Sequence, residues 1–308
     1  MENTRAKTTR NSLILLLTAT IWGMAFVSQS KGMDYMHPFT FNGVRSLIGA
    51  AGILVYILIS RKIAGDKAAK LDWKLNVRAG LLCGIFLTTA STLQQFGIKY
   101  TSVGKAGFIT TLYIIFVPMF GIFLKKKVAP VVWAAAGMAA VGMYLLCMTE
   151  SLRLGAGGIM VFLCAIAFAI QIMTVDHYAA RIDGAVVSCI QFTVCGVVCC
   201  IGALIWGQPT FGQIQEGLGA LLYAGVLSCG VGYTLQIVGQ KGLNPTVAAL
   251  IMSLESVIAT ISGWIAYKIG FLSTDQTLTP RQIAGCVIVF AAVILVQLPP
   301  EWFRFGKK

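Results

Sequence analysis

The sequence predicts an all-α membrane protein in which ten transmembrane helices form two inverted five-helix repeats, residues 1–150 and 151–308. Three observations predict it: ten apolar runs of bilayer-spanning length, a one-sided distribution of lysine and arginine between them, and an internal repeat offset by 142 positions. Of the 308 residues, 57% are hydrophobic and 11% charged, whereas a soluble domain carries about 25% charged residues. The few charges sit in short clusters between long apolar runs, so water offers those runs no shelter.

The runs are Ser12 to Ser30, Pro38 to Ser60, Ala79 to Ile98, Gly104 to Leu124 and Pro130 to Met148 in the first half. Leu154 to Val175, Gly184 to Gly207, Leu218 to Gln240, Pro245 to Tyr267 and Pro280 to Leu298 follow in the second. Each meets the length of about 20 residues needed to cross the hydrocarbon core. Lipid leaves unpaired backbone unsatisfied, so helices are expected, and the alternation of a β-barrel is absent. Arg5, Lys7 and Arg10 before the first run have the outline of a signal peptide, but no cleavage site follows, and the run is kept as the first helix.

With an even number of spans both termini share one side. Seventeen of the 24 lysines and arginines fall on it, among them Arg61, Lys62, Lys67, Lys70, Lys74, Arg78, Lys125, Lys126, Lys127, Arg181, Lys241, Arg304, Lys307 and Lys308. The other side holds Lys31, Lys99, Lys105, Arg153, Lys268 and Arg281. Positive residues mark the cytoplasmic side, so a multi-pass protein of the cell membrane with both termini in the cytoplasm is expected. The net charge of +13 is therefore assigned to topology; no basic stripe with interleaved aromatics suggests nucleic acid. The stretch from Arg61 to Arg78 is expected to anchor at the cytoplasmic surface, with contact to anionic lipid as the alternative.

Shifting the sequence by 142 aligns Thr92-Leu93-Gln94, Gly97 and Lys99 with Thr234-Leu235-Gln236, Gly239 and Lys241, and Ala106, Ile109 and Leu112 with Ala248, Ile251 and Leu254. Pro130 meets Pro280 at a shift of 150, the difference fitting a longer loop, Gly270 to Thr279. Five spans per half is an odd number, so the second half enters the membrane in the opposite sense. Inverted repeats hold a substrate cavity at the midplane between the halves and expose it alternately to each side.

Further pieces carry a family likeness: Ile21-Trp22-Gly23 leading to Phe26-Val27, Asn42-Gly43-Val44-Arg45, Tyr100-Thr101-Ser102-Val103-Gly104-Lys105-Ala106, Leu254-Glu255 and Gln282-Ile283-Ala284-Gly285. In this order and spacing the chain resembles the drug/metabolite transporter superfamily, specifically its ten-helix EamA-type members. The resemblance implies a secondary transporter that exports a small metabolite, an amino acid or a drug by alternating access. A facilitator or uptake carrier of the same fold, or a receptor or scaffold, are the alternatives. Ser256 stands where family members often carry proline, and Lys125-Lys126-Lys127 where they often carry an acidic residue.

Charges inside the membrane are costly and need a reason. Glu255 lies about 15 Å into its helix at 1.5 Å per residue; it is either a proton- or cation-binding carboxylate on the cavity wall or one neutralised at a helix interface. Arg45 lies about 10 Å from its helix end and either links to backbone carbonyls or recognises a substrate carboxylate. An ion pair between the two is a third arrangement. Thr88, Ser91, Thr92 and Gln95 make a polar face on the third span, with Ser228, Tyr233, Thr234, Gln236 and Gln240 as its counterpart on the eighth. Those faces line the cavity or bond between helices. Trp22, Phe26, Tyr113 and Gln171 are expected to complete it with aromatic walls and few polar groups. The substrate-binding candidates are thus Trp22, Phe26, Arg45, Thr88, Ser91, Gln95, Tyr113, Gln171, Tyr233, Gln236 and Glu255.

No enzyme is expected. HExxH, GxSxG and Walker A motifs are absent, His37 and His177 lie near opposite membrane faces, and no strand precedes Gly155-Ala156-Gly157-Gly158. The nine cysteines lie mainly in apolar runs without a CxxC pair, which suits packing better than a metal or disulfide framework. Gly80-xxx-Gly84, Ala135-xxx-Ala139 and Gly225 to Gly232 allow close helix approach. Neither cofactor nor metal is expected; the partners are a small-molecule substrate and the lipid bilayer, with a homodimer left open.

Overall fold

The computed structural model describes residues 2–65, 71–124, 130–147, 155–273 and 276–297, and among these every regular element is helical. Lys67, Lys70, Lys125, Lys126, Lys127, Arg153, Arg304, Lys307 and Lys308, with the span ends Met148, Leu154 and Leu298, lie outside them. The elements are α1 (Glu2–Gly32), α2 (Pro38–Ala64), α3 (Trp73–Lys99), α4 (Val103–Thr111), α5 (Tyr113–Phe123), α6 (Pro130–Cys147), α7 (Ala156–Tyr178) and α8 (Gly184–Gly202). They continue as α9 (Phe211–Glu216), α10 (Leu218–Leu222), α11 (Tyr233–Gln240), α12 (Pro245–Met252), α13 (Leu254–Lys268) and α14 (Pro280–Gln297).

Eight helical stretches are long and apolar enough to cross a membrane; α6 and α14 are shorter apolar helices that pack on each other. Local chemistry sets the helix starts. Asp72, Ser102, Asp183 and Asn244 each accept from a backbone N–H of the first turn, satisfying donors that the helix itself leaves unpaired. After α13, Gly270 turns with φ 74°, and Phe271 N–H returns to the Ala266 carbonyl at 2.8 Å, a glycine-dependent stop.

Four of the expected spans are not simple helices. The fourth is interrupted between α4 and α5, where Thr111 Oγ1 donates to the Phe108 carbonyl at 2.9 Å and Leu112 N–H bonds back three residues. The ninth is interrupted between α12 and α13, where Ser253 Oγ donates to the Leu250 carbonyl at 2.7 Å and Ser256 N–H bonds back three residues. A hydroxyl on a helix carbonyl competes with the backbone ladder and tightens the turn. The eighth combines α10 and α11 with π-helical turns over Tyr223–Gly232 between them, and π turns also follow α8 at Ala203–Gly207. Wider turns of this kind often mark functional positions.

Packing runs across the two halves of the chain. α2 lies against α8, α3 against α7 and α8, α1 against α13 and the Tyr223–Gln240 stretch, and α4 and α5 against α7. Small residues set the separations. A Cβ on Gly49 would stand 2.7 Å from Cys229 Cβ and 2.8 Å from the Gly225 carbonyl oxygen, and one on Gly80 2.6 Å from Ile190 Cβ. Among the described residues the one ion pair, Lys31 with Asp34 at 3.0 Å, lies at the end of α1 and not in the interior.

At the first turn of α2, the His37 ring nitrogen Nδ1 accepts from Phe39 N–H at 3.4 Å. Burial, with the nearby Lys99 charge adding, pushes its pKa below the usual 6.5. Its folded form prefers the neutral ring, so stability should be complete above 6.5 and decline as pH falls from there through the depressed value; NMR titration of the imidazole checks the direction. Gly49→Ala should destabilise by about 1–3 kcal/mol through overpacking. Gly52→Ala, one turn along and with no atom within 4 Å of the added Cβ, should be neutral or gain about 0.5–1 kcal/mol. Thermal unfolding of the two variants in detergent separates these outcomes.

Candidate functional site

The interior of the helix packing leaves one cavity to which α1, α2, α3, α4, α5, α7, α8, α11, α13 and the π turns all contribute side chains. Nine of the expected residues line it: Trp22, Phe26, Arg45, Ser91, Tyr113, Gln171, Tyr233, Gln236 and Glu255. Thr88 and Gln95 do not. Thr88 Oγ1 is bonded to its own helix at the Gly84 carbonyl, 2.6 Å, and Gln95 is turned to α1, where its amide donates to the Gln29 carbonyl at 3.1 Å. The neighbouring Gln94 takes the wall position instead and donates to Thr110 Oγ1 at 3.2 Å.

Sequence reasoning missed Gln29, Ser46, Leu87, Gln94, Thr110, Phe168, Ile172, Phe192 and Cys229, and placed Ser228 on the polar face of the eighth span without making it a binding candidate. A signal for several of them was present in the repeat. Phe26 and Phe168, Gln29 and Gln171, Leu87 and Cys229, Ser91 and Tyr233, Gln94 and Gln236, and Tyr113 and Glu255 are all cavity-lining pairs 142 positions apart. Carrying the offset through every polar residue of the first half would have found Gln29 from Gln171.

Six aromatic side chains line the walls as expected, but with ten polar non-aromatic ones beside them the polar groups are not few. Trp22 and Tyr233 meet with ring centroids 4.5 Å apart, Phe192 stands edge-on to Tyr233 at 5.0 Å, and the Trp22 indole N–H donates to the Ser228 carbonyl at 3.4 Å. Gly232 makes that seat available, because a Cβ there would lie 2.6 Å from Trp22 Nε1. Glu255, 4% exposed, accepts from the Tyr113 hydroxyl at 3.0 Å across the helix interruptions. Gln171 and Gln236 hold each other amide to amide, at 3.5 Å one way and 3.2 Å the other.

Arg45 and Glu255 share the cavity but form no ion pair, and Arg45 donates no hydrogen bond to a carbonyl among the described residues. The expected link from Arg45 to backbone carbonyls is therefore not made. Its guanidinium lies 5.4 Å from the Phe41 ring centroid, a cation–π contact within one helix turn. The free space is about 30 Å³, room for ordered water and far below the roughly 300–1,000 Å³ of small-molecule pockets. No group of His, Cys, Asp or Glu that could hold a metal occurs among the described residues.

Tyr113→Phe removes the hydroxyl that Glu255 accepts from. It should destabilise by about 1–3 kcal/mol, the cost of leaving a buried polar group unsatisfied; chemical denaturation of the variant beside the parent measures it.

The EamA-like transporter family model matches residues 10–148 and again 155–298. An uncharacterized transporter of Archaeoglobus fulgidus is 27% identical over 290 residues, covering 92% of this chain and 84% of that one. The uncharacterized transporter YwfM of Bacillus subtilis is 25% identical over 295 residues, 94% of each chain. A crystal structure with 16% identity superposes with a TM-score of 0.74 over 96% of this chain and 99% of that chain, a likeness of fold. The two matches together span nearly the whole sequence, and the chain belongs to the EamA-like transporter family.

Proposed function

We propose that this family member is a secondary transporter that exports a small metabolite, amino acid or drug, working by alternating access between two inverted five-helix repeats with both termini cytoplasmic. α6 and α14 complete the count as the fifth and tenth spans. The observation that carries the reading is the cavity itself: twelve of its lining residues are the six pairs 142 positions apart. A cavity wall shared equally by two halves is what a pseudo-two-fold axis through the site would produce.

Other features follow the same exchange of halves. Thr111 and Ser253, 142 apart, make the same side-chain bond, to the carbonyls of Phe108 and Leu250, which are also 142 apart. Interrupted helices in corresponding positions of the two halves point to a transporter's binding site. The packing of α3 on α7 has its counterpart in α1 on the Tyr223–Gln240 stretch, while α2 on α8 and α6 on α14 map onto themselves.

The halves differ in their glutamines. Gln171 and Gln236 are bonded to each other, toward the ends of α7 and α11 that lead into Arg181 and Lys241. Their counterparts Gln29 and Gln94, toward Lys31 and Lys99, are not; Gln94 bonds Thr110 and the Gln29 side-chain carbonyl has no partner. In this reading the amide pair latches the cytoplasmic side, and the opposite state forms the Gln29–Gln94 pair while opening this one. Widening on one side supplies the volume that the closed cavity lacks.

Purified protein in liposomes should show saturable counterflow with some member of a broad metabolite panel, tested with and without a pH gradient; no movement of any solute would sink the reading. A double-mutant cycle of Gln171→Ala and Gln236→Ala should return a stability coupling of about 0.6–1.5 kcal/mol, and the same cycle at Gln29 and Gln94 a value near zero. Reporter fusions that require a periplasmic environment should stay silent at both termini.

A further inference from the structure

The proposal that follows rests on the transporter reading and concerns which chemistry the cavity selects. A guanidinium cannot shed its charge, so a buried one needs acceptors or an anion. Arg45 is 5% exposed, lines the cavity, and among the described residues has neither: Nε is buried without a partner, no carboxylate lies within ion-pair distance, and no carbonyl accepts from it. The guanidinium lies 5.4 Å from the Phe41 ring centroid, and a ring face does not satisfy the N–H fork. Glu255, the one other formally charged side chain on the wall, is engaged elsewhere by Tyr113.

Two hydroxyls stand on the same wall. Ser46 donates to the Cys195 sulfur at 3.4 Å, and Ser91 shares a hydrogen bond with that sulfur at 3.4 Å. Sulfur is a weak acceptor, so the Ser46 hydroxyl has more to gain from an oxyanion than it loses by leaving it, while Ser91 also has the Thr88 carbonyl as acceptor at 3.4 Å. The opposite requirement comes from Trp22, Tyr233 and Phe192, whose rings, in tilted and edge-on contact, give the cavity an apolar wall without a formal charge.

We propose that Arg45 is the anion anchor of the transport site and that the cavity selects small organic carboxylates with an apolar body, the carboxylate taking the guanidinium fork and the body lying against the Trp22–Tyr233 pair. The ligand supplies the counterion that the protein omits. An empty site then holds an uncompensated buried charge, which favours loading before the cavity closes.

The test compares matched acids and amides on the full-length protein. 3-Phenylpropionate and cyclohexanepropionate should raise the unfolding temperature and compete in counterflow, and the corresponding primary amides should bind about ten- to a hundredfold more weakly, the worth of a charge-assisted hydrogen bond. Arg45→Gln should remove the preference for acid over amide. Arg45→Lys, which keeps the charge without the fork, should restore part of it and guards against misfolding of the glutamine variant. Equal binding of acid and amide by the parent protein overturns the proposal, as does a preference that survives in Arg45→Gln. Stabilisation by chloride alone, in chloride against gluconate buffer and with no added effect of the acids, also overturns it and makes the site one for an inorganic anion. Counterflow of amides without acids would leave transport standing and remove only the carboxylate anchor.

Discussion

The hydrocarbon core of a bilayer forms no hydrogen bonds, so a polar group carried into it is costly unless it is kept inside the protein. That requirement shapes the molecule more than hydrophobicity does. Apolar surface is satisfied anywhere between lipid tails and costs little to leave outward, as Leu204, Phe123 and Ile63 are left. Glutamines, serines, Arg45 and Glu255 have no such freedom, and the helices are arranged so that these residues gather around one interior space. Small residues make the gathering possible: where Gly49 meets Gly225 and Gly80 meets Ile190, backbones approach close enough for short polar side chains to reach a neighbouring helix.

The same constraint accounts for the irregular spans. A continuous helix bonds all its own carbonyls and presents nothing to a passing solute. Interruptions at Thr111 and Ser253 and the π turns before Tyr233 release carbonyls beside the cavity, and local side chains take up part of the debt, as Trp22 does at Ser228.

The two halves also depart from repeat symmetry at the cavity. Phe26 and Phe168, Gln29 and Gln171, and Gln94 and Gln236 are identical pairs, whereas Tyr113 with Glu255, Ser91 with Tyr233, and Leu87 with Cys229 give the cavity two different chemistries at matched positions. Arg45 has Val187 as its counterpart, which leaves a single cation on one wall of a site whose framework is shared by both halves.

Helical character and membrane insertion were determined by the sequence alone, because run length and polarity act locally along the chain. Nine of the eleven candidate residues line the cavity, as their polar or aromatic character within apolar runs led one to expect, although such groups also serve packing and interhelical bonds. Tertiary structure decided the rest. Gln94 and Gln95 are adjacent on one helix and chemically identical, and only the position of α1 turns one to the Gln29 carbonyl and leaves the other on the wall. Whether Arg45 meets Glu255, a carbonyl or nothing depends on distances between helices that hydropathy does not encode. The interruptions at Thr111 and Ser253 were likewise invisible, because a hydroxyl in a helix bends it or tolerates it according to what packs alongside.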